Sequence, residues 1–213
     1  MQQFKHYLFI EYMPDIKKEK TLVVIKPDGV QRTLIGEIIK RYERSGLKLI
    51  ALKMLVPPKD LIEKHYTVDP EWKIKTGTKA IESYKTQNKT PPSENPEEVG
   101  NRVLSNLVKY MSSGPVVAMV WQGMHAVSVV RKICGSTEPR TSDVGTIRGD
   151  LTIDSYEIAD IDGRSVRNLV HASGSPDEAE KEITLWFKPE ELLSYRLLNE
   201  EIIYDINLDG ILE

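Results

Sequence analysis

His171 is the residue of this sequence best placed to do chemistry. It stands just ahead of Ser175-Pro-Asp-Glu178, which carries the marks of a helix start. Ser175 can accept from the N–H three residues on, Pro176 suits the first helical position, and Glu178 can reach back. A helix beginning there aims its dipole and its free N–H groups towards the histidine, which favours an anion beside it. Neutral imidazole is a good nucleophile, and its unperturbed pKa of about 6.5 keeps the free base abundant near neutrality. The cations that phosphate requires are also present: Arg131 and Arg148 bring planar forks, and Lys26 a point charge at the end of an apolar run. Arg148 lies inside Gly145-Thr-Ile-Arg-Gly-Asp150, where the glycines let backbone approach a ligand closely. Taken singly, an arbitrary histidine is more often buried structure, and an arbitrary lysine or arginine a solvated charge. The chain holds no Gly-x4-Gly-Lys-Ser/Thr loop and no Gly-x-Gly-x-x-Gly, so any phosphate must be handled by side chains.

The elements that hold these groups follow from periodicity. Thr21-Leu-Val-Val-Ile25 predicts a buried strand, ended by a turn at Lys26-Pro-Asp-Gly29. Ile35, Ile38, Ile39 and Tyr42 recur at helical spacing and predict a helix ending at Gly46. Leu47 to Val56 reads as a long strand buried over most of its length, and Leu61, Ile62 and His65 or Tyr66 as a short helix. Residues 67–102 are rich in turn formers and poor in apolar side chains, which predicts an insertion, a lid or a partly disordered loop. Val116 to Trp121 predicts a second buried strand, and Ala126, Val127 and Val130 the helix after it. Cys134 to Asp150 is polar and glycine-rich, as binding loops are. Thr184-Leu-Trp-Phe187 reads as a short strand and Pro189 to Leu193 as another helix start. The order of elements predicts an α+β sandwich. His65 and His125 fall on predicted helices without ligand-spaced partners, so a packing or surface role is expected of both, and Cys134 is expected to be a small buried hydrophobe.

Composition narrows the classes. The 213 residues carry a net charge of −3, which excludes a basic surface that coats nucleic acid. No stretch approaches the ~18 apolar residues of a membrane span. A single cysteine points to a reducing compartment, and four histidines leave little room for a multi-histidine metal site. A cytoplasmic protein without nucleic-acid or membrane partners is expected.

Together the segments are more specific than any residue alone. Val24-Ile-Lys-Pro-Asp-Gly-Val-Gln-Arg32, Gly114-Pro-Val-Val-Ala-Met-Val-Trp121, Gly145 to Asp150, Asn168-Leu-Val-His-Ala-Ser173 and Glu180 to Phe187 resemble the signature segments of nucleoside diphosphate kinases, in the family's order. The resemblance covers about residues 20–66 and 103–195 and implies a ferredoxin-like, four-stranded antiparallel sheet with helices on one face. It implies that His171 is a phosphohistidine nucleophile, with Glu182 and Ser173 orienting its imidazole and Tyr66 nearby. It also implies that Lys26, Arg131, Thr137, Arg148 and Asn168 contact the phosphates and ribose of a nucleotide. The activity implied is ping-pong transfer of a γ-phosphate from a nucleoside triphosphate to a diphosphate. Mg²⁺ would arrive on the nucleotide phosphates rather than in a protein cage, and a homo-oligomer is implied. Residues 1–18 are then an N-terminal arm, bearing Phe4, Tyr7, Phe9 and Tyr12, and residues 19–213 the kinase domain.

Three departures from the family pattern stand out. The chain between Tyr66 and Val103 is much longer than in ordinary members, with the insertion at about 67–102. Val103 falls where the family has the phenylalanine that stacks on the base, leaving Trp72 or Tyr84 as substitutes within the insertion. The active-site run reads His171-Ala-Ser-Gly174 rather than His-Gly-Ser-Asp, and residues 151–164 look like a second insertion. Two rival classes share some features. A catalytically weak nucleotide-binding module has little reason to keep both His171 and Glu182. A protein-histidine phosphotransfer partner has no need of Arg131, Thr137 and Arg148.

Overall fold

The runs that are apolar on both parities form the middle of a sheet. In the computed structural model, which describes residues 16–86 and 88–204, strands β1 (Glu19–Ile25), β2 (Lys48–Leu55), β3 (Val116–Gly123) and β4 (Val170–Ala172) lie in the order β2-β3-β1-β4. Every pairing is antiparallel; β1 runs along β3 from Glu19 opposite Gly123 to Ile25 opposite Val117, and β4 flanks β1 with His171 opposite Val24. Helices cover both faces rather than one. Leu22 and Val24 point into a core with Ile62, Val108, Met111 and Trp186, whereas Val23 and Ile25 point into one with Ile38, Tyr42, Ala126 and Val130. The first core is closed by α3 (Lys59–Tyr66), α5 (Pro96–Met111) and α9 (Pro176–Trp186), the second by α2 (Ile35–Glu43) and α6 (Ala126–Cys134). Two apolar faces are why β1 and β3 show no alternation. Each fully buried Val, Leu or Ile contributes roughly 1.5–3 kcal/mol.

Several elements differ from expectation. Residues 67–102 are not a loop: they hold α4 (Trp72–Thr86) and the start of α5. The turn formers before α5 serve as its cap, with Asn95 accepting from Glu97 N–H and Pro96 in the first turn. α4 buries only Gly77 and Ile81, so it carries almost no apolar stripe. It docks through backbone instead. A Cβ on Gly77 would lie 1.8 Å from the Pro96 carbonyl oxygen, and one on Gly100 2.0 Å from that of Lys73.

Thr184 to Trp186 is the last turn of α9 rather than a strand, because Glu182, Ile183 and Trp186 share that helix's buried face. Pro189–Glu191 is a single 3-10 turn. The turn after β1 is wound into a short helix, α1 (Pro27–Gln31), with Pro27 in its first turn. The outer half of β2 is not buried: Leu52 and Met54 are 48% and 56% exposed on that edge strand. Between Cys134 and His171 lie the short helices α7 (Ile147–Leu151) and α8 (Tyr156–Ile161), so the expected second insertion contains helix. The arm's aromatic residues lie outside the described residues. Among the described residues, no helix is long and apolar enough to cross a membrane.

Candidate active site

β4 is only three residues long, and a strained residue sets its entry. Leu169 has φ +66°, a left-handed conformation that costs a branched-chain residue free energy and persists only where its surroundings hold it. They do so here: its N–H donates to Asp28 Oδ2 at 3.1 Å, its carbonyl accepts from Lys26 N–H at 2.8 Å, and its side chain is fully buried. The kink leaves Asn168 and His171 on either side of it, both lining one cavity.

The imidazole of His171 is fixed from behind. Nε2 lies 2.9 Å from Glu182 Oε1, and Glu182 Oε2 accepts from Ser173 Oγ at 2.6 Å. Ser173 Oγ in turn accepts from Leu22 N–H at 3.2 Å. A carboxylate cannot donate, so the proton between the pair sits on Nε2 and the ring's lone pair on Nδ1. Among the described residues, Nδ1 makes no hydrogen bond. Burial, together with the charges of Lys26, Arg148 and Arg131, lowers the His171 pKa to about 3, so the imidazole is neutral at physiological pH. Burial raises the Glu182 carboxyl, and burial with the Glu182 charge raises that of Glu178 one turn earlier.

His65 belongs to this cluster, contrary to expectation. It is buried, its ring stands edge-on to His171 at 4.3 Å between centroids, and its Nδ1 accepts from Trp186 Nε1–H at 3.2 Å. Burial and His171 bring its pKa to about 3. Its signal in the sequence was an imidazole three residues after Ile62, on the apolar face of α3. Tyr66, next in the chain, sits 6.1 Å from the His171 ring, with Trp72 5.6 Å beyond it.

The cations surround the open side. Lys26 Nζ donates to Asn168 Oδ1 at 2.7 Å, and burial, reinforced by Arg148, lowers its pKa to about 7. Asn168 Nδ2 donates to the Thr137 carbonyl at 2.8 Å. Arg148 departs from a simple phosphate clamp. Its Nε donates to the Asn168 carbonyl, Nη1 to those of Gly135 and Ser136, and Nη2 to that of Val170, at 2.7–3.2 Å. Four of its five N–H groups thus tie α7 to the segments 135–136 and 168–170, and one is left for a ligand. Arg131, by contrast, makes no hydrogen bond or ion pair among the described residues and is exposed at the rim.

These groups line a cavity of about 890 Å³, large enough for a nucleotide-sized ligand. Lys26, Tyr66, Val103, Arg131, Thr137, Arg148, Asn168, His171 and Glu182 all face it, and Ser173 stands behind Glu182. The metal-capable cluster His65, His171 and Glu182 offers two imidazoles and one carboxylate oxygen within 4.8 Å of one another. Mg²⁺ prefers six oxygens, so this donor set is no Mg²⁺ cage. The whole arrangement presents a neutral, oriented imidazole nitrogen to a cation-rimmed cavity, which suits transfer of a phosphoryl group to and from nitrogen.

Known proteins share this architecture. A nucleoside diphosphate kinase family profile matches residues 19–74 and 80–192. The nucleoside diphosphate kinase of Pyrobaculum aerophilum is 49% identical over 179 residues, spanning 82% of this chain and 98% of that protein. Nucleoside diphosphate kinase A of Mus musculus is 42% identical over 187 residues, spanning 88% and 97%. A crystal structure of an NDP kinase from Pyrobaculum aerophilum matches with a TM-score of 0.80 at 48% identity, covering 83% of this chain and 100% of that one. A transition-state mimic of the Borrelia burgdorferi enzyme, with bound vanadate and ADP, matches at 0.73 and 36% identity, covering 88% and 98%. With the four-stranded sheet and its oriented histidine in place, these matches establish that the chain belongs to the nucleoside diphosphate kinase family.

Proposed function

We propose that His171 is the residue through which this nucleoside diphosphate kinase carries phosphate, as a phosphohistidine formed at Nδ1. One observation supports this above the rest: Nε2 is engaged by the buried Glu182, so the free lone pair is on Nδ1. In the first half-reaction that lone pair attacks the γ-phosphorus. The N–P bond forms as the bond to the β–γ bridging oxygen breaks, and the nucleoside diphosphate departs. The proton on Nε2 stays in place, and the positive charge that develops on the ring is met by Glu182. In the second half-reaction a β-phosphate oxygen of the incoming diphosphate takes the group, the N–P bond breaks, and the neutral imidazole returns. A loose transition state asks chiefly for alignment and for cations around its equatorial oxygens. Lys26, Arg131 and the remaining N–H of Arg148 serve that need, with Thr137 and Asn168 bracing the loops around them and Tyr66 flanking the ring.

Mg²⁺ enters as part of the substrate, bridging nucleotide phosphates. Nucleoside tri- and diphosphates, not nucleic acid, are the partners, in keeping with the net charge of −3. Residues 1–18 precede the family match, and those at about 67–102 and 151–164 are read as additions to the family core; that match breaks at residues 75–79, inside the first, and runs unbroken through the second. Self-association is favoured by Leu52, Met54 and Val56, exposed along the β2 edge. The buried thiol of Cys134 suits a reducing compartment such as the cytoplasm.

The test is to incubate the protein with Mg²⁺ and γ-labelled ATP, look for an acid-labile phosphoprotein, and chase it with GDP or CDP. His171→Ala is expected to abolish labelling and lower turnover by several orders of magnitude, each tenfold being ~1.4 kcal/mol of barrier. Near-normal turnover in that variant would overturn the assignment.

A further inference from the structure

Two segments far apart in the chain meet over the cavity. α4 contributes Thr76, Ala80 and Tyr84 to its wall, and α8 contributes Tyr156, Ala159 and Asp160. The segments also touch each other. Burial and the nearby Asp160 carboxylate raise the pKa of the Tyr84 hydroxyl. Just past α4, Lys89 Nζ lies 3.5 Å from Glu157 Oε1, and Glu157 Oε2 lies 3.4 Å from Arg140 Nη1.

The joint differs in kind from what anchors each side. α4 is fixed on α5 by backbone contact at Gly77 and Gly100, where no side chain fits between the helices. α8 is fixed at its start by the Ser155 cap and beneath by Arg164, whose guanidinium grips Asp154 with two nitrogens at 2.6 and 3.0 Å. The joint itself consists of polar contacts between half-exposed groups, with Lys89 41% and Glu157 50% exposed. Such ion pairs are weak and are screened by salt, so the roof has its line of least resistance here. A ping-pong enzyme with one site must release each nucleotide before it accepts the next. A roof sealed by strong contacts would obstruct that traffic, and one with no contact would hold nucleotide poorly.

We propose that α4 and α8 form a strap across the cavity, latched by Lys89–Glu157–Arg140, which parts to exchange nucleotide and closes to retain it. The proposal rests on the reading that nucleotide fills this cavity with its terminal phosphate at His171. The latch residues touch neither His171 nor its cations. They act on nucleotide retention, as positioning residues, and leave the phosphoryl step alone.

Release of a ribose-labelled fluorescent ADP, followed by stopped flow, reads retention without chemistry. Glu157→Ala and Lys89→Ala are each expected to speed release about threefold or more, and the double variant to release no faster than the stronger single one, since both cut the same pair. Added salt should speed release in the wild type and much less in Glu157→Ala. A second experiment closes the latch. Lys89→Cys with Glu157→Cys, bridged by a short bis-maleimide, should label His171 from ATP at least tenfold more slowly than the unbridged double variant; the buried Cys134 is shielded from the reagent. Unchanged release in both single variants, or full-rate labelling after bridging, would overturn the strap. Absence of labelling in the unmodified enzyme would overturn the phosphohistidine reading instead, and the two failures are told apart by which protein and which signal shows them.

Discussion

At the scale of single residues, Arg148 has spent most of its bonding capacity before a ligand arrives. Arg148 donates to the carbonyls of Gly135, Ser136, Asn168 and Val170. A lysine has one ammonium in place of a fork and cannot reach four acceptors spread over two segments. Arg148→Lys is therefore expected to lower kcat/KM clearly and also to cost about 2–4 kcal/mol of stability, read from the urea midpoint. A variant that lost activity at full stability would return Arg148 to a plain phosphate contact. Lys26 makes a different prediction. Burial first and Arg148 second bring its pKa from 10.5 to about 7, so between those values the folded chain binds fewer protons there than the unfolded one. Stability contributed by this lysine thus rises with pH across that window and is lost as pH falls towards 7. A phosphate beside it restores the charged form. At pH 8 nucleotide binding should take up protons, seen by calorimetry as a binding heat that varies with buffer ionisation enthalpy; a heat independent of buffer would show that Lys26 stays charged in the free enzyme.

At the scale of elements, α4 is the piece least supported by its own side chains. Its register on α5 depends on Gly77 and Gly100, where a Cβ would meet backbone carbonyl oxygen at 1.8 and 2.0 Å. Backbone cannot rotate away as a side chain can. Gly77→Ala is expected to displace α4, with a cost of about 1–3 kcal/mol from overpacking that exceeds any gain in helix propensity. The measurable result is faster amide exchange across Trp72–Thr86 and a raised KM for nucleotide, with His171 still labelled at saturating ATP. Unchanged exchange in α4 would mean that the helices can slide apart at no cost.

At the scale of the whole molecule, the two imidazoles set edge-on to each other couple catalysis to acid stability. His65 and His171 have pKa values of about 3 against an ordinary 6.5, each chiefly through burial. Between pH 3 and 6.5 the unfolded chain binds protons at both sites that the folded chain does not. Their contribution to stability is full above about 6.5 and is lost as pH falls through that interval. The thermal midpoint should therefore drop on acidification, and it should drop less steeply in His171→Ala, which has one such imidazole fewer. Equal slopes in the two proteins would place acid sensitivity in the carboxylates alone.

By itself the sequence determined what local chemistry determines. The β-branched runs at Thr21–Ile25 and Val116–Trp121 had to be strands buried on both sides, and the spacing of Ile35, Ile38 and Tyr42 had to be a helix. Ser175-Pro-Asp-Glu178 placed the start of α9 because a cap is read within four residues, and Ser175 does accept from Glu178 N–H at 3.2 Å. His171, Glu182, Lys26, Arg131, Arg148 and Asn168 were legible as a set through the order of their segments. Tertiary structure alone decided the rest. Thr184-Leu-Trp-Phe has strand-like composition, yet Thr184 to Trp186 became helix because Trp186 and Ile183 meet the sheet from one helical face. The Pro70-Glu71 pair ahead of Trp72 suited a helix start, but the extent of α4 was illegible because its docking uses glycines, which leave no periodic trace. His65 became part of the site only when α3 laid it against His171 and Trp186, residues more than a hundred positions away. The carbonyls that occupy Arg148, and the Lys89–Glu157 contact across the cavity, likewise join segments that no local pattern relates. Backbone acceptors carry no side-chain signature, and partners brought together by folding leave none in the spacing of residues along the chain.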